Sequence, residues 1–462
     1  MLNTGTIPPS LFRTLVACAS FAFAGCDPGA QKPPTQAKPS QELANSPTPK
    51  LPQTDMNPRE NSSATPAPAT PALQPDASAT GPSQPAVAAS NQAGFRIYQQ
   101  IAAKPGNFAF SPASISLALS MTYAGSAGET AKQMREALVL PEASESLHRG
   151  WASVVSAWNV PSEHYTLATV NRLFGEQSYT FEQPFLDQVR SHYAAPLEPR
   201  DFRNKPQVER AYINQWVENQ TRERIKDLIP PPGINSDTRL VLANALYFKG
   251  AWANPFIPEQ TTDGAFYVDG ASKTTVAMMH QTKNHGYAAV DGVKLVQMHY
   301  FGSKLAMLLV VPDARNGLAA VEKDLTAQQL ARWDQALQTK RVAVTLPKFK
   351  VAPPTIDLKK ILKQMGMTDA FEPERADFTG IANPPNPDDR LYISAVFHKA
   401  FVAVDEEGSE AAAATAVVMG RGGGRPAEPV AVVADHPFVF LIRDLTTGAV
   451  MFAGRVSNPK PT

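Results

Sequence analysis

The segment VDEEGSEAAAATAVVMGRGGGR, residues 404–425, is the most informative about the fold, because its residues favour two different secondary structures. Its run of four alanines favours a helix, whereas the TAVV that follows favours a β-strand. In a strand, successive side chains point to opposite faces, so small side chains here would line both faces and fit the middle of a crowded sheet. The glycine-rich end of the segment has no preferred structure, and we expect it to be exposed and cleavable.

Apolar segments on both sides of this stretch predict helices first and strands later. SPASISLALSMTYA (111–124) predicts a buried helix that Ser111 caps, and 207–229 predicts an amphipathic helix. The apolar residues of the second helix, at helical spacing, are Val208, Tyr212, Trp216 and Val217. The predicted strands are RLVLANALYF (239–248), LAMLLVVP (305–312), RVAVTLPKFKV (341–351) and the hairpin PFVFLIRDLTTGAVMFAGRV (437–456), with Thr447-Gly448 in its turn. Helices that cluster early and strands that cluster late indicate an α+β fold, not a doubly wound α/β fold.

The first 26 residues resemble a targeting signal. The apolar run TLVACASFAFAG is too short to span a bilayer and suits the core of a signal peptide. Ala24-Gly25 before Cys26 resembles the lipobox of bacterial lipoproteins, in which the cysteine is lipidated and becomes the mature N-terminus. Phe23 stands where leucine is usual, and the residues before Cys18 fit the local pattern better but almost no apolar run precedes them. An ordinary cleaved signal peptide is the alternative.

Residues 27–92 are rich in proline, alanine, serine and threonine and contain few large apolar side chains. Such a segment cannot bury enough surface to offset its ordering entropy, so we predict a disordered linker. Behind a lipid anchor, this linker would hold the predicted folded domain, 93–462, clear of a membrane.

Composition and motifs argue against several classes of function. The formal net charge is +1, which gives no reason to expect a nucleic-acid partner or direct binding to a membrane surface. The folded domain has no cysteine and no GxSxG, HExxH, P-loop or GxGxxG motif. The glycine run at 420–425 precedes no helix start and is weak as a phosphate loop. We therefore expect neither an enzyme, nor a bound metal, nor a cofactor.

The sequence EEGSEAAAATAVV resembles the hinge of the reactive-centre loop of an inhibitory serpin. Further serpin motifs flank it in family order and cover essentially all of 94–459. They are NFAFSPASISLALSMTYAGSAGET (107–130), LVLANALYFKGAW (240–252), LPKF (346–349), MGMTDAF (365–371), ADFTGI (376–381), FHKAFVAVDEEG (397–408), HPFVFLIRD (436–444) and FAGRVSNP (452–459). The resemblance implies the serpin fold, in which helices surround a large mixed central sheet and the reactive loop is exposed.

Several residues acquire roles through this resemblance. The implied hinge residues are Glu406, Glu407, Gly408, Ser409, Glu410, Ala411, Ala412, Ala413 and Ala414. Ser111, Ser114, Asn244 and His398 match the shutter, a polar network beneath the opening sheet, and Trp252 matches the breach, where insertion begins. A helix cap, a hydrogen-bonded core histidine and simple packing of the tryptophan are the alternatives. For the alanine run the alternative is an exposed helix.

The implied function is irreversible inhibition of serine or cysteine proteases by a suicide-substrate mechanism, in which the cleaved loop inserts into the central sheet. We predict the reactive bond at Arg421–Gly422, which would attract a trypsin-like protease. Cleavage between Val418 and Gly423 by an elastase- or subtilisin-like protease is the rival. A non-inhibitory binding or chaperone-like protein is the alternative function. We expect a monomer without a heparin-type site, exported and either membrane-anchored or secreted.

Overall fold

The computed structural model of the 462-residue chain describes residues 81–409 and 428–460, apart from 82, 143 and 164. The predicted signal segment 1–26 and most of the predicted linker 27–92 therefore lie outside the described residues. Within the part that is described, none of the helices has the length and apolar character needed to span a membrane.

Helices form much of the first half of the described chain. The predicted buried helix 111–124 is confirmed as α2, and the side chain of Ser111 accepts a hydrogen bond of 3.1 Å from the Ser114 amide as its N-cap. The helices are α1 Gln84–Ala102, α2 Pro112–Tyr123, α3 Gly128–Leu138, α4 Ser144–Trp158, α5 Gln183–Tyr193, α6 Pro206–Gln220, α7 Leu318–Asp324, α8 Ala327–Ala336 and α9 Lys359–Gln364.

Strands form two large sheets and one small one. The strands are β1 Phe108–Phe110, β2 Tyr165–Glu176, β3 Leu197–Arg200, β4 Leu240–Ala251, β5 Thr262–Tyr267, β6 Lys273–Val290, β7 Val293–His299, β8 Leu305–Pro312, β9 Gln338–Pro347, β10 Phe349–Val351, β11 Ile356–Asp357, β12 Phe397–His398, β13 Val402–Val404, β14 Gly408–Ser409, β15 Val430–Val433, β16 Phe438–Asp444 and β17 Val450–Val456. One sheet has the order β1-β17-β16-β8-β7-β6-β9-β15, with β5 on β6. A six-stranded sheet has the order β10-β13-β14-β4-β2-β3, and β11 pairs with β12.

The α+β class is confirmed, and the predicted strands are found with small shifts. The run at 305–312 coincides with β8, and the run at 239–248 becomes β4, which continues to Ala251. The run at 341–351 is divided between β9 and β10, and the predicted hairpin consists of β16 and β17. The 18-residue strand β6 was not predicted.

The folded region begins earlier than the predicted boundary between 92 and 93. Helix α1 starts at Gln84, so the end of the predicted linker is helical. Ala86, Val87 and Ala89 are buried in the core, as are Ile97 and Tyr98 further along the same helix. Small apolar side chains were sufficient here because they pack closely against neighbouring helices.

Helix α6 ends at Gln220, nine residues before the predicted end at 229. Arg222 and Glu223 adopt left-handed backbone angles, with φ of +49° and +60°, which no α-helix can continue through. The predicted apolar face is also corrected: Val208 is 62% exposed and Tyr212 is 40% exposed, whereas Ile213 and Val217 are buried.

Two apolar clusters lie on the two faces of the six-stranded sheet. The larger cluster includes residues of α2 and of the nine-stranded sheet, and we call the face that it covers the inner face. The smaller cluster joins α6 and the chain that follows it to the other, outer face. Its buried members are Phe174, Phe202, Ile213, Val217, Ile225, Leu228, Ile229, Ile234 and Ala243. The outer face of β4 is therefore covered by α6 and by residues 225–234.

Candidate functional site

The start of the predicted hinge already lies in the middle of the six-stranded sheet. Strand β14 pairs with β13 through Ser409 and Val404, and with β4 through Gly408–Ala251 and Ser409–Gly250. Both pairings are antiparallel, and Ser409 is only 3% exposed. The hinge is thus fixed between two strands before the alanine run begins.

Beyond β14, in the direction of Leu240 at the start of β4, the sheet has an open strand position in the described part of the chain. We call this direction down the sheet. Strand β4 continues down to Leu240, but no described strand pairs with it on the β14 side beyond Gly250. Because β13 and β4 are both antiparallel to β14, they run parallel to each other, with Val404 level with Gly250. Six residues earlier in each strand, His398 is level with Asn244 across the open strand position.

A cavity of about 190 Å³ lies at this open strand position, between β4 and residues 390–398. Ser114 and Ile115 of α2 line its inner side, and Leu228 and Ile229 line its outer side. The gap between the two sheet edges is therefore covered by α2 on the inner face and by the segment after α6 on the outer face.

The predicted shutter residues come together at the inner side of the cavity. The Ser111 amide donates a 3.0 Å hydrogen bond to His398 Nε2, and the hydroxyl of Ser114 bonds to Asn244 Oδ1. The Asn244 side-chain amide donates in turn to Asn171 Oδ1. Their part in opening the sheet stays a prediction.

Two members of this network were missed at the sequence level. Asn171 in β2 links Asn244 to the backbone carbonyl of Tyr193, through a bond of 2.8 Å from Asn171 Nδ2. Both come from elements far away in the chain, and neither lies in a motif that we used.

His398 is neutral at physiological pH. It is 7% exposed, and burial lowers its pKa from 6.5 to about 4. Because Nε2 accepts the hydrogen bond from Ser111, the ring proton of the neutral form must lie on Nδ1. A charged imidazolium would lose this acceptor, so the network requires the neutral form.

Trp252, the predicted breach residue, holds the turn that precedes β14. Its backbone N–H donates to Glu407 O at 2.8 Å, and its Nε1 donates to Asp405 O at 3.0 Å. Its ring stacks on Tyr300 with centroids 4.5 Å apart, and the Tyr300 hydroxyl lies 2.5 Å from Ser409 Oγ. Tyr300, which the sequence reasoning missed, therefore connects the tryptophan to the hinge strand.

Glu406 anchors the hinge turn by charge. Its carboxylate contacts Lys348 Nζ at 2.6 Å and accepts a 2.7 Å hydrogen bond from Thr261. Burial alone would raise the pKa of Glu406, but the hydrogen bonds from Lys348 and Thr261 outweigh it and hold the pKa below its usual value. Glu407, in contrast, is exposed.

Gly408 is required by close contact between strands. A Cβ on this residue would overlap the carbonyl oxygen of Gly250 and lie 2.9 Å from the Cα of Ala251. In a hinge, a glycine gives the backbone freedom to move. The structure supplies a second reason, which is that no side chain fits between β14 and β4.

The other predicted site residues lie outside the described residues. They are Glu410, Ala411, Ala412, Ala413, Ala414, Arg421, Gly422 and Cys26. Within the described ranges, no group of three or more histidine, cysteine or acidic side chains is placed to hold a metal ion.

Comparisons with known proteins agree with this architecture. Residues 88–459 match the family model described as Serpin (serine protease inhibitor). The chain is 37% identical to Serpin B3 from Homo sapiens over 385 residues, which are 79% of this chain and 97% of the relative. It is 39% identical to antithrombin-III from Mus musculus, with 76% of each chain covered.

Solved structures show the same fold. A cleaved Serpin 42Da matches with a TM-score of 0.74 and 29% identity, over 82% of this chain and 100% of that one. Uncleaved ovalbumin matches with a TM-score of 0.71 and 28% identity, over 81% of this chain and 100% of that one. With a family model that spans most of the sequence, and with these structures sharing its fold, the chain belongs to the serpin family.

Proposed function

We propose that this protein is an irreversible suicide-substrate inhibitor of proteases. The nucleophile of a serine protease attacks the carbonyl carbon of the reactive bond, an ester to the protease forms, and the new amino terminus leaves. The freed loop then inserts into the six-stranded sheet and carries the acylated protease along before water can cleave the ester. The observation that carries the proposal is the open strand position that begins directly below β14.

The pairing of β14 defines where an inserting strand would go. Extending its register with β4 and with β13 brings residue 415 level with both Asn244 and His398. That residue is Thr415, whose hydroxyl could bond within the polar network there. Every second residue counted back from Thr415, namely Ala413, Ala411 and Ser409, would face the inner side, where small side chains fit. Each inserted residue would gain backbone hydrogen bonds to the two neighbouring strands. The start of the new strand, β14, is already formed, so no new strand has to be nucleated.

Substitution of Ala411 by arginine tests the proposal. An arginine here would place an unpaired charge on the inner face of the inserted strand, which costs several kcal/mol. The variant should be cleaved as a substrate instead of forming a complex stable in SDS. Ala271→Arg, which introduces the same charge at an exposed alanine in the turn between β5 and β6, is the matched control and should still trap the protease. Ser409→Arg is less specific, because Ser409 is already buried in the native sheet.

The experiment uses the full chain and a panel of serine and cysteine proteases. Covalent complexes with the natural sequence and with Ala271→Arg, but not with Ala411→Arg, would support inhibition by insertion. A cleaved form with a much higher melting temperature would support it further. If no protease is trapped and cleavage leaves the melting temperature unchanged, the protein is a non-inhibitory serpin.

The target class follows from the reactive bond. We propose cleavage at Arg421–Gly422, because an arginine would fit the specificity pocket of a trypsin-like protease. The competing site between Val418 and Gly423 offers small or apolar residues to an elastase- or subtilisin-like protease.

We also propose that the protein is a bacterial lipoprotein, exported and attached to a membrane through Cys26. The support is the apolar run followed by Ala24-Gly25-Cys26 and the proline-rich segment behind it. Attachment through the lipid would leave the inhibitory domain free to meet proteases outside the cytoplasmic membrane.

A further inference from the structure

The turn after α6 contacts both edges of the open strand position. The guanidinium carbon of Arg224 lies 5.5 Å from the centroid of the Phe401 ring. The guanidinium carbon of Arg222 lies 5.5 Å from the centroid of the Tyr247 ring. Both separations are within the range of cation–π attraction.

Phe401 and Tyr247 lie at the same level on opposite edges. Ser409 pairs with Val404 on one side and with Gly250 on the other, so those two residues are level. Phe401 and Tyr247 are each three residues below them. Side chains three residues apart along a strand point to opposite faces, so both rings lie on the outer face of the sheet, the face that α6 covers. Two arginines of one turn therefore reach the two edges of the open strand position.

The turn is held in a fixed conformation. Arg222 and Glu223 have left-handed backbone angles, which cost free energy in residues with a Cβ and persist only where the surroundings impose them. Thr221 supplies part of that constraint, since its hydroxyl donates to Val217 O at 2.8 Å and accepts from the Ile225 amide at 3.2 Å. The spacing of the two arginines is thus set by the backbone.

We propose that Arg222 and Arg224 form an arginine bridge that joins the two sheet edges and sets the rate of strand insertion. A strand that enters between the edges projects every second side chain to the outer face, into the space that this turn covers. The turn must then lift, and at least one of the two cation–π contacts must break. Both arginines are positioning residues for insertion, so the inference rests on the proposed function.

Lys350 provides a matched control on the same ring. Its ammonium group lies 5.5 Å from the centroid of Phe401, at the same distance as the guanidinium of Arg224. It belongs to β10, on the same side of the open strand position as Phe401, so it contacts one edge only. Loss of Lys350 removes a cation from Phe401 without breaking a link between the edges.

Hydrogen exchange of the full chain tests the bridge directly. Arg222→Gln and Arg224→Gln should each increase amide exchange in β4 and in residues 397–404 about twofold to fivefold. Because either substitution breaks the same link, the double variant should add little to the larger single effect. Lys350→Gln should leave exchange in β4 unchanged. Equal effects of Lys350→Gln, strictly additive effects, or no change in either arginine variant would overturn the bridge.

A second measurement separates this inference from the proposed function. After proteolysis of the loop, both arginine variants should gain heat stability about twofold to fivefold faster than the natural sequence. If all proteins gain stability at one rate, insertion stands and the bridge does not control it. If none gains stability, the proposed function fails, while the exchange data still decide whether the bridge exists.

Discussion

Gly408 lies so close to Gly250 that a Cβ on Gly408 would overlap the Gly250 carbonyl oxygen. This contact fixes the hinge strand between β13 and β4, and it shows how little space the sheet leaves at its upper end.

Gly408→Ala should displace β14 from the sheet or destabilise the protein. The methyl group would meet backbone atoms of β4, which cannot move away as a side chain would, and such overpacking costs about 1–3 kcal/mol. Thermal unfolding should show a lower melting temperature. Gly81→Ala is the control, because a Cβ there meets nothing closer than 4.0 Å. Equal melting temperatures for the two variants would contradict the steric argument.

Asn244→Ala should destabilise the native sheet. It removes the partner of both the Ser114 hydroxyl and Asn171 Oδ1, and each buried polar group left unpaired costs about 1–3 kcal/mol. Denaturant unfolding measures the loss. Asn219→Ala, at an exposed position of α6 where Gln215 donates a hydrogen bond to the side chain, should cost far less. If these residues formed no such network, the two variants would lose similar amounts of unfolding free energy.

Stability should fall as the pH is lowered from 6.5 towards 4. Burial lowers the pKa of His148, His285 and His398 to about 4 in the folded protein, from 6.5. In this range the unfolded chain binds more protons, so the free energy of unfolding falls by at most about 1.4 kcal/mol per pH unit for each histidine. His398→Gln keeps an acceptor for the Ser111 amide. It should make the free energy of unfolding depend less steeply on pH, by the contribution of one histidine. An identical slope in unfolding experiments on the variant would argue against the buried neutral state.

Arg421→Ala should abolish the covalent complex with trypsin. The salt bridge to the specificity pocket is lost, and the remaining small residues are poor trypsin substrates. Arg425→Ala is the control and should keep the complex, because Pro426 already blocks cleavage after Arg425. Mass spectrometry of the released peptide should show a new N-terminus at Gly422. A complex with elastase or subtilisin, and none with trypsin, would move the reactive bond to the rival site between Val418 and Gly423.

When the chain is produced in a bacterium that processes lipoproteins, Cys26→Ser should release it from the membrane fraction or leave it unprocessed. Without the thiol no lipid can be attached at the start of the mature chain. Cys18→Ser is the matched control and should keep the protein in the membrane fraction. If both variants fractionate like the natural sequence, the lipoprotein assignment is wrong.

Local sequence signals predicted those elements whose buried residues are contiguous. The run 305–312 coincides with β8 because all its side chains are buried, and 111–124 is a helix because Ser111 and Pro112 favour its start. The same reasoning failed for 207–229, where Val208 and Tyr212 follow helical spacing but face solvent. The end of α6 depends on the turn at Arg222, which hydrophobic periodicity does not report.

For the site, the resemblance supplied candidate residues but not the contacts that cross the fold. Ser111, Ser114, Asn244 and His398 lie together in the structure, and their role as a shutter stays a prediction. Tyr300 could not be found in this way, because it reaches Ser409 from an element more than one hundred residues away in the chain. Such partners are set by tertiary packing, and no motif in the sequence marks them.

Strands β15, β16 and β17 have a consequence for any molecule cut between residues 410 and 427. β16 and β17 are buried and paired along their length inside the nine-stranded sheet, and β15 pairs with β9. The two cysteines, Cys18 and Cys26, both precede the cut, so no disulfide could join the fragments. We therefore expect the nicked protein to be a noncovalent two-chain complex that migrates as one particle in gel filtration. Only a denaturant should release the small fragment.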